Sequence, residues 1–408
     1  MHGPGLDRDA MAPLDARLQA MVDQDEQTGL AWLVASGADV HVGAAGAVDP
    51  TATSSEAVDR STIFRISSMT KPITALATLM LVDDGVLRLD DPVDDLLPEL
   101  ADRRVLADPE GAIDDTVAAV RPITVDDLLT FRLGHGYDFS ATGPQPVMDE
   151  MARIGMAVGP PRPQEQPAPD EWMRLLGSLP LARQPGERWM YHTGSDVLGV
   201  LVARAAGRPL DAVLADRIFE PLGMADTGFS VAPEQRHRFG PCLTSSGADG
   251  REVFDAADGQ WARPPAFPSG GAGLVSTVDD YFAFARLLLD GGTAPDGTRL
   301  VSAEGVAQMT ADHLTAAQVA EAGPDPDGRA GWGYGVSVRL ASTPGGPAEG
   351  TYGWDGGLGS SWANDPRQGL VGVLMTNQMW TSPEPPAVCA AFWTGAFAGL
   401  AGAGPGPA

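Results

Sequence analysis

The 408-residue sequence has few of the features that mark disulfide-rich, metal-binding or membrane proteins. Its two cysteines, Cys242 and Cys389, cannot build a disulfide framework, and neither has the Cys/His spacing of a metal site. No apolar run approaches the ~18 residues that span a bilayer, and the N-terminal segment does not resemble a signal peptide. We therefore predict a cytoplasmic protein with two buried thiols, no metal and no cofactor.

Two catalytic motifs are also missing. No Gly-x-Ser-x-Gly segment occurs, which excludes an α/β-hydrolase. The six histidines are scattered, and no His-x-x-x-His pair is present to hold a metal. If the chain is a hydrolase, its chemistry must therefore come from another arrangement of residues.

Positive charge is scarce as well. The sequence has 27 basic and 54 acidic residues, a net charge of −27 that would repel phosphate backbones and anionic lipid headgroups. We therefore expect a small-molecule substrate and neither a nucleic-acid nor a membrane partner, while the oligomeric state stays open. Hydrophobic residues make up 43% and charged residues 20% of the chain, the proportions of a folded protein.

Lysine is nearly absent. The 27 basic residues are 26 arginines and one lysine, Lys71. Arginine does not release its proton in a protein, whereas a lysine that is buried or lies near positive charge can. The single lysine therefore marks a position where a proton has to move, although it can also have survived by chance.

This lysine belongs to the segment Ile66-Ser67-Ser68-Met69-Thr70-Lys71-Pro72, where a strand predicted over 61–66 leads into a helix predicted over 71–87. Proline is tolerated in the first turn of a helix, so Ser68 lies at the N-terminus, and the i, i+3 spacing places its hydroxyl beside the Lys71 amine. Burial and the helix dipole disfavour the ammonium form, which makes Lys71 a candidate acceptor for the Ser68 proton. The alternative is that Ser68 only caps the helix.

A second segment surrounds Tyr191. Ser195 or Asp196 can cap a helix that continues through 200–206, which leaves Tyr191 on the preceding loop, where a phenol can reach a cleft. Its neighbour His192 and the loop residue His135 are candidates to border that cleft. A packing tyrosine and ordinary surface or core histidines are the alternatives.

The third segment is the glycine-dense stretch Trp354-Asp355-Gly356-Gly357. Glycines inside a strand let a ligand or another backbone approach closely and leave N–H groups accessible, so this strand edge can supply half of an oxyanion hole. A bulged hairpin with packing tryptophans is the alternative.

The remaining pattern predicts a sheet built from both ends of the chain and a mainly helical region between them. An amphipathic helix over 10–25 precedes a hairpin, and strand-like segments return late, before a closing helix. The hairpin strands cover 30–35 and 40–48, the late strands 333–341, 351–363 and 369–376, and the closing helix 387–400. We therefore divide the chain into a sheet domain (1–88 and 255–408) and a mainly helical domain (89–254), with the active site between them.

In this order and at these separations, the three segments resemble the serine hydrolases of the β-lactamase and penicillin-binding superfamily. The likeness is greatest to class C-type β-lactamases and family VIII carboxylesterases, and it spans roughly residues 14–398. It places the S-x-x-K motif on Ser68 and Lys71, the tyrosine motif at Tyr191 and the third motif on Trp354-Asp355-Gly356. It implies an α+β (α/β sandwich), β-lactamase/transpeptidase-like fold with an antiparallel sheet flanked by helices.

The resemblance also implies roles for these residues. Ser68 would be the nucleophile that carries the acyl group, Lys71 and Tyr191 would move protons, and the N–H groups of Ser68 and Gly357 would bind the oxyanion. We also expect the substrate to lie against Trp354, Asp355, Gly356, His192 and His135. Two assignments stay open: an ammonium on Lys71 that favours tyrosinate at Tyr191, or a neutral Lys71 that deprotonates Ser68 directly.

Departures from the pattern bear on the substrate. Trp354 stands where β-lactamases usually have lysine or histidine, Asp355 adds negative charge, and Thr193 replaces an asparagine that recognises amides. These changes favour esters over carboxylated β-lactams, so we predict a carboxylesterase that works through an acyl-enzyme. The alternatives are a lovastatin-type acyltransferase, an amide or β-lactam hydrolase, and a catalytically silent penicillin-binding-like scaffold. The acyl-chain length, stereoselectivity and physiological substrate cannot be read from the sequence.

Overall fold

The core of the protein is an antiparallel sheet that joins the two ends of the chain. The computed structural model describes residues 4–156, 158–245, 250–325, 327–382 and 384–400. In chain order the strands of these residues are β1 (Gly29–Ser36), β2 (Asp39–Gly46), β3 (Phe64–Arg65), β4 (Arg104–Leu106), β5 (Thr116–Ala118), β6 (Cys242–Ser245), β7 (Arg251–Asp255), β8 (Val275–Ser276), β9 (Ala330–Trp332), β10 (Ser337–Arg339), β11 (Tyr352–Gly356), β12 (Ser360–Asp365) and β13 (Leu370–Thr376).

Seven of these strands form the main sheet, in the order β2-β1-β13-β12-β11-β10-β9. The N-terminal hairpin joins the C-terminal strands where β1 pairs antiparallel with β13, with Leu30 opposite Thr376. Every residue of β1 is buried, because the strand is central and both faces of the sheet are covered. The predicted antiparallel sheet with strands from both ends of the chain is confirmed.

Helices cover both faces of the sheet. In chain order they are α1 (Arg8–Asp23), α2 (Thr70–Asp83), α3 (Val125–Leu129), α4 (Pro146–Arg153), α5 (Pro169–Ser178), α6 (Thr193–Ala206), α7 (Leu210–Leu214), α8 (Glu220–Leu222), α9 (Val278–Leu289), α10 (Ala303–Met309), α11 (Ala316–Ala322) and α12 (Ala387–Ala398). The apolar stripe of α1, including Leu14 and Leu18, packs with Phe392 of α12 on one face. Helix α9 packs on β1 and β13, and α2 packs in the same core. The predicted α+β arrangement is confirmed.

Helix α2 is buried on all sides, as its apolar composition predicts. Every residue from Thr70 to Leu81 is buried, and Pro72 lies in the first turn, where a missing N–H costs no helical hydrogen bond. The helix ends at Asp83, earlier than predicted, and Gly85 follows with φ of 72°. A short 3₁₀ turn, Ser67–Met69, leads into α2 and packs against β11 and β12.

The chain between α2 and β8 contains helices α3 to α8 and two short ribbons, β4–β5 and β6–β7. This content agrees with the mainly helical character expected of the middle region. The division at residues 89 and 254 stays a prediction.

Several strands differ from their predicted extents because turns interrupt them. The stretch 351–363 is two strands, β11 and β12, and Gly359 in the turn between them has φ of 113°. A turn at Gly335, with φ of 72°, likewise separates β9 from β10. The strand predicted over 61–66 is limited to Phe64–Arg65. Glycines with positive φ therefore mark the turns that an apolar pattern alone does not resolve.

Both cysteines are buried free thiols, at Cys242 and Cys389. Within the described ranges, none of the helices combines the length and the apolar character that crossing a bilayer requires.

Candidate active site

Ser68 lies in the 3₁₀ turn that connects β3 to α2. The preceding residue, Ser67, is buried and has φ of 46°, an uncommon backbone conformation for a residue other than glycine. Hydrogen bonds hold the turn on its C-terminal side, where the Tyr281 hydroxyl donates to the Met69 carbonyl at 3.0 Å and the Leu274 N–H donates to Thr70 Oγ1 at 3.1 Å. The turn is therefore fixed, while Ser68 itself remains partly exposed.

Lys71 lies one turn further along and is fully buried. Its Nζ is 3.0 Å from Ser68 Oγ, 2.7 Å from the Gly271 carbonyl oxygen and 3.1 Å from His192 Nδ1. Burial lowers the pKa of Lys71 to about 7, although the charge of Asp196 opposes this shift. Near neutral pH the amine is therefore available to accept a proton from the hydroxyl beside it.

Tyr191 contacts the same hydroxyl from the loop that precedes α6. Its backbone is paired with Tyr137 through N–H to carbonyl bonds of 2.8 and 2.9 Å, and its ring centroid lies 4.6 Å from Lys71 Nζ. Burial raises the pKa of the phenol above its usual range, more strongly than the hydrogen bonds to Ser68 and Trp354 lower it. Tyr191 is therefore a neutral phenol in hydrogen-bond contact with Ser68.

The end of β11 is pressed against the backbone that precedes Ser68. A Cβ on Gly356 would lie 2.3 Å from the Ile66 carbonyl oxygen, so only glycine allows this approach. The Ser360 hydroxyl donates to the same carbonyl at 3.1 Å. The next residue, Gly357, is exposed, and its N–H has no hydrogen-bond acceptor among the described residues. The backbone N–H groups of Ser68 and Gly357, which were predicted to form the oxyanion hole, therefore belong to neighbouring segments of one site.

Trp354 and Asp355 lie on opposite faces of the sheet, because successive side chains of a strand alternate. Trp354 faces the site and donates from Nε1 to the Tyr191 hydroxyl oxygen at 2.7 Å. Asp355 is paired across the strands with Ser361, whose hydroxyl accepts from Trp393 Nε1 of α12 at 2.9 Å.

This placement corrects the prediction that Asp355 borders the substrate, since the carboxyl faces α12 and lies near Cys389. Burial there raises the pKa of Asp355 to about 6.

The prediction for His135 is corrected as well. Its side chain is 1% exposed and lies behind Thr193, with Nδ1 3.2 Å from the Thr193 hydroxyl. Burial, aided by the charge of Arg103, lowers the pKa of His135 to about 3, so the imidazole is neutral. His135 therefore supports the start of α6 and does not face the cleft.

His192 contacts Lys71, a contact that the sequence did not indicate. Its Nδ1 faces Lys71 Nζ, and its Nε2 lies 3.1 Å from Asp196 Oδ2. Asp196 was expected only as a possible helix cap, but α6 begins earlier, at Thr193, and the carboxylate is buried inside the first turn. There Oδ1 of Asp196 accepts from the Ser269 hydroxyl at 2.6 Å and from the Gly271 N–H at 3.0 Å.

The loop 269–271 and Asp196 therefore lie beside Lys71 and His192, and no sequence motif indicates this. The burial of Asp196 raises its pKa, but His192, Ser269 and Lys71 outweigh this effect and hold the pKa below its usual range. The carboxylate is therefore ionised at neutral pH.

A groove with about 580 Å³ of empty space, open to solvent, lies beside His192. Its polar lining includes His192, Thr193, Asp196, Ser269, Gln166 and Arg162. Its walls are largely apolar and come from the region 137–172 and from Phe267, with members that include Tyr137, Met148, Met151, Val158, Trp172 and Phe267.

Aromatic side chains surround Tyr191 on its other sides. Phe131, Trp189 and Trp332 are buried behind it, with ring centroids 5.7–6.4 Å from the phenol ring. Phe139 is 60% exposed, stacks on Tyr137 and lies 5.4 Å from Tyr191. An apolar rim therefore lies next to the reacting groups. In the part of the chain that the structure describes, no three His, Cys, Asp or Glu residues are grouped to hold a metal ion.

Comparisons with known proteins agree with this geometry. The family model described as Beta-lactamase matches residues 14–387. The chain is 38% identical over 321 residues to an uncharacterized protein of Mycobacterium tuberculosis, covering 77% of each chain. It is 33% identical over 403 residues to the esterase EstB of Burkholderia gladioli, covering 93% of this chain and 94% of EstB.

Among solved structures, EstCE1, described as a hydrolase with promiscuous acyltransferase activity, superposes with a TM-score of 0.76 at 24% identity, covering 95% of this chain and 99% of its own. That likeness confirms the β-lactamase/transpeptidase-like fold.

Proposed function

The chain belongs to the beta-lactamase family of serine hydrolases and acyltransferases, and from that premise we propose that it cleaves carboxylic esters through an acyl-enzyme on Ser68. One observation carries the proposal. The only lysine of the sequence is fully buried with Nζ 3.0 Å from Ser68 Oγ, and burial brings its pKa to about 7. A hydroxyl paired with an amine of that pKa is an activated nucleophile at neutral pH.

Acylation begins with the transfer of the Ser68 proton to the neutral amine of Lys71. The Ser68 oxygen forms a bond to the ester carbonyl carbon, and the oxyanion accepts hydrogen bonds from the N–H groups of Ser68 and Gly357. The bond to the leaving alcohol then breaks, and the oxygen of that alcohol takes a proton from the Tyr191 phenol. The Lys71 ammonium then gives a proton to Tyr191 and restores the phenol. In deacylation a water molecule attacks the acyl carbon and loses a proton to the same groups. The bond between the acyl carbon and the Ser68 oxygen then breaks, and that proton passes to Ser68 as the acid leaves.

The two pKa directions support one of the two assignments that the sequence leaves open. Burial lowers the pKa of Lys71 to about 7 and raises that of Tyr191 above its usual range. An ammonium on Lys71 beside a tyrosinate at Tyr191 would require the pKa of Lys71 to lie above that of Tyr191. Lys71 is therefore the base for Ser68, and Tyr191 acts as the acid toward the leaving group.

An uncharged ester suits the site better than a carboxylated β-lactam. At the strand position beside Ser68, Trp354 offers a neutral N–H, and Tyr191 already occupies that donor. Asp355 faces α12 and does not repel a substrate carboxylate, so the preference for an uncharged ester rests on the missing cation. The relative EstB is an esterase, which supports the same substrate class.

The proposal is tested with p-nitrophenyl butyrate and the variant Ser68→Ala. The wild-type protein should release nitrophenol, and the variant should lose this activity while its circular dichroism spectrum and melting temperature stay close to wild type, because only a hydroxyl is removed. Hydrolysis by Ser68→Ala at the wild-type rate would refute the proposal. Nitrocefin in parallel reports any β-lactam hydrolysis.

Acyl transfer to an alcohol is the second candidate. The groove beside His192, with its apolar walls and about 580 Å³ of space, offers room for an acceptor next to the acyl group. Adding increasing concentrations of an alcohol and measuring the partition of butyrate between acid and ester separates the two activities. A new ester formed in proportion to nitrophenol release favours transfer, and free butyrate alone favours hydrolysis.

A further inference from the structure

The Lys71 amine has three polar neighbours, and they are of different kinds. The Gly271 carbonyl oxygen, 2.7 Å from Nζ, can only accept a hydrogen bond. His192 Nδ1, 3.1 Å away, accepts or donates according to its tautomer, and Ser68 Oγ at 3.0 Å does either. Which of them receives the amine hydrogens decides where the lone pair points.

The tautomer of His192 follows from its other nitrogen. Nε2 lies 3.1 Å from Asp196 Oδ2, and an ionised carboxylate can only accept. The hydrogen bonds from Ser269 and the Gly271 N–H reach the other oxygen of the same carboxylate. Because Asp196 is ionised, the imidazole proton lies on Nε2, which leaves Nδ1 as an acceptor.

The backbone of His192 holds the ring in this place. His192 has φ of 85° and ψ of −63°, and the Thr193 N–H donates to the Tyr191 carbonyl at 3.3 Å. These values describe a γ-turn of the rare kind with positive φ, which is strained for any residue with a side chain. Such strain persists where the surroundings fix it, and it is concentrated at functional sites.

Counting hydrogens then gives the direction of the lone pair. A neutral amine has two hydrogens, and the two obligatory acceptors around Nζ are Gly271 O and His192 Nδ1. With both hydrogens used, the lone pair faces the third neighbour, the Ser68 hydroxyl. Asp196 fixes both acceptors, one through the imidazole and the other through the Gly271 N–H.

We propose that His192 and Asp196 are positioning residues that take up the two amine hydrogens of Lys71 and thereby aim its lone pair at Ser68. This inference rests on the proposed function and adds two residues to the Ser68, Lys71 and Tyr191 set. Neither of them needs to touch the ester.

The charged and titratable groups around His192 come from several elements. Lys71 faces it from α2 and Asp196 from α6, while the rings of Tyr191 and Tyr137 lie 6.0 and 6.2 Å from the imidazole. Arg162 lines the same groove and is paired with Glu165. The charge of Asp196 acts on both His192 and Lys71, where it opposes the lowering of each pKa by burial.

The variant Asp196→Asn separates positioning from packing because it keeps the volume of the side chain. The asparagine amide can donate to Nε2, which moves the imidazole proton to Nδ1, where it occupies the Lys71 lone pair. We expect kcat/KM for p-nitrophenyl butyrate to fall about 10²-fold, the scale of general-base catalysis. The pKa of Lys71 should fall further without the carboxylate charge, so the acid limb of the pH profile should move to lower pH. A purely structural role would leave that limb in place.

A conservative replacement tests His192 itself. In His192→Asn the amide oxygen can accept from Lys71, and asparagine tolerates positive φ better than most residues. We expect this variant to keep more kcat/KM than His192→Leu. The matched control is Asp15→Asn, at the His41–Asp15 pair of 2.8 Å on the other side of the sheet, which should change neither kcat/KM nor the pH limb.

The tautomer can be read directly in the wild-type protein by long-range ¹H–¹⁵N correlation spectra of the histidines, assigned with His192→Asn. A protonated Nε2 and an unprotonated Nδ1 support the inference, and the opposite tautomer overturns it even if Asp196→Asn fails to fold. Unchanged kcat/KM and an unchanged acid limb in a folded Asp196→Asn protein would also overturn it. Either failure would leave the Ser68-dependent esterase intact, because that proposal fails only if Ser68→Ala remains active.

Discussion

The Trp354 indole donates its N–H to the phenolic oxygen of Tyr191 at 2.7 Å. The strand position that usually holds a cation in β-lactamases thus holds a neutral donor, and its partner is the proposed acid. Trp354 also packs edge to face against Trp332, with centroids 4.7 Å apart. The indole therefore links the sheet to the tyrosine loop and fixes the phenol above Ser68.

Removing this hydrogen bond should slow the reaction without unfolding the protein. Trp354→Phe keeps an aromatic ring against Trp332 but loses the N–H. A hydrogen bond of about 1 kcal/mol corresponds to roughly a fivefold change, so we expect kcat to fall between about threefold and tenfold. Steady-state kinetics with p-nitrophenyl butyrate measure this, and an unchanged kcat would show that the indole N–H does not orient Tyr191.

The rate should follow the protonation of Lys71. Its pKa is lowered to about 7 by burial, and only the neutral amine accepts the Ser68 proton. Below that value log kcat/KM should therefore rise with a slope near one, and above it reach a plateau. Because the pKa of Tyr191 is raised, the plateau should extend through the alkaline range in which tyrosine usually ionises. A profile of kcat/KM against pH that is flat across pH 7 would contradict the assignment of the base.

Replacing Lys71 by a neutral side chain of similar length should lower the activity and raise the stability of the protein. Lys71→Met removes the base, so kcat/KM should fall by about 10²-fold or more. Between the folded pKa of about 7 and the ordinary lysine pKa of 10.5, the unfolded chain binds the extra proton, so this group makes folding more favourable as pH rises. The melting temperature of Lys71→Met should therefore exceed that of wild type by more at pH 6 than at pH 9. Equal gains at both pH values would mean that Lys71 is not shifted in the folded protein.

Phe139 should contribute to the binding of aromatic esters. Its ring is 60% exposed and stacks on Tyr137 next to Tyr191, so an aryl group at the mouth of the site would cover it. We expect Phe139→Ala to raise KM for phenyl esters more than for ethyl esters, with little change in kcat. Val86→Ala, at another exposed apolar residue beyond the C-terminal end of α2, is the control. An equal effect on both classes of ester would show that the ring does not contact the substrate.

Asp355 should affect stability and not catalysis. Burial raises its pKa from 3.8 to about 6, so in that range the folded state binds more protons than the unfolded state, and folding becomes less favourable as pH rises. Asp355→Asn removes this penalty, and its melting temperature should exceed that of wild type at pH 8 and converge with it near pH 4. The kcat/KM at pH 8 should be unchanged. A large fall in kcat/KM would show that Asp355 contributes to the substrate site after all.

Local patterns were enough to predict that the proposed nucleophile and its proposed base lie side by side. The i, i+3 spacing of Ser68 and Lys71 fixes their separation once the helix is identified, and two largely apolar runs identified the hairpin of β1 and β2. The face on which Asp355 lies depends on strand register, which residues 351–363 do not reveal until the turn at Gly359 divides them. The contacts of His192 required tertiary information, because Asp196 and the loop 269–271 meet only in the folded chain.

Covalent trapping tests the central claim most directly. A p-nitrophenyl phosphonate that mimics the tetrahedral state should add one phosphonyl group to the intact protein. Trypsin does not cleave between Lys71 and Pro72, so the label should appear in the peptide 66–88, with fragmentation placing it on Ser68. The account predicts this adduct in the wild-type protein and none in Ser68→Ala. A phosphonyl group on Tyr191 or His192, or equal labelling of Ser68→Ala, would contradict it.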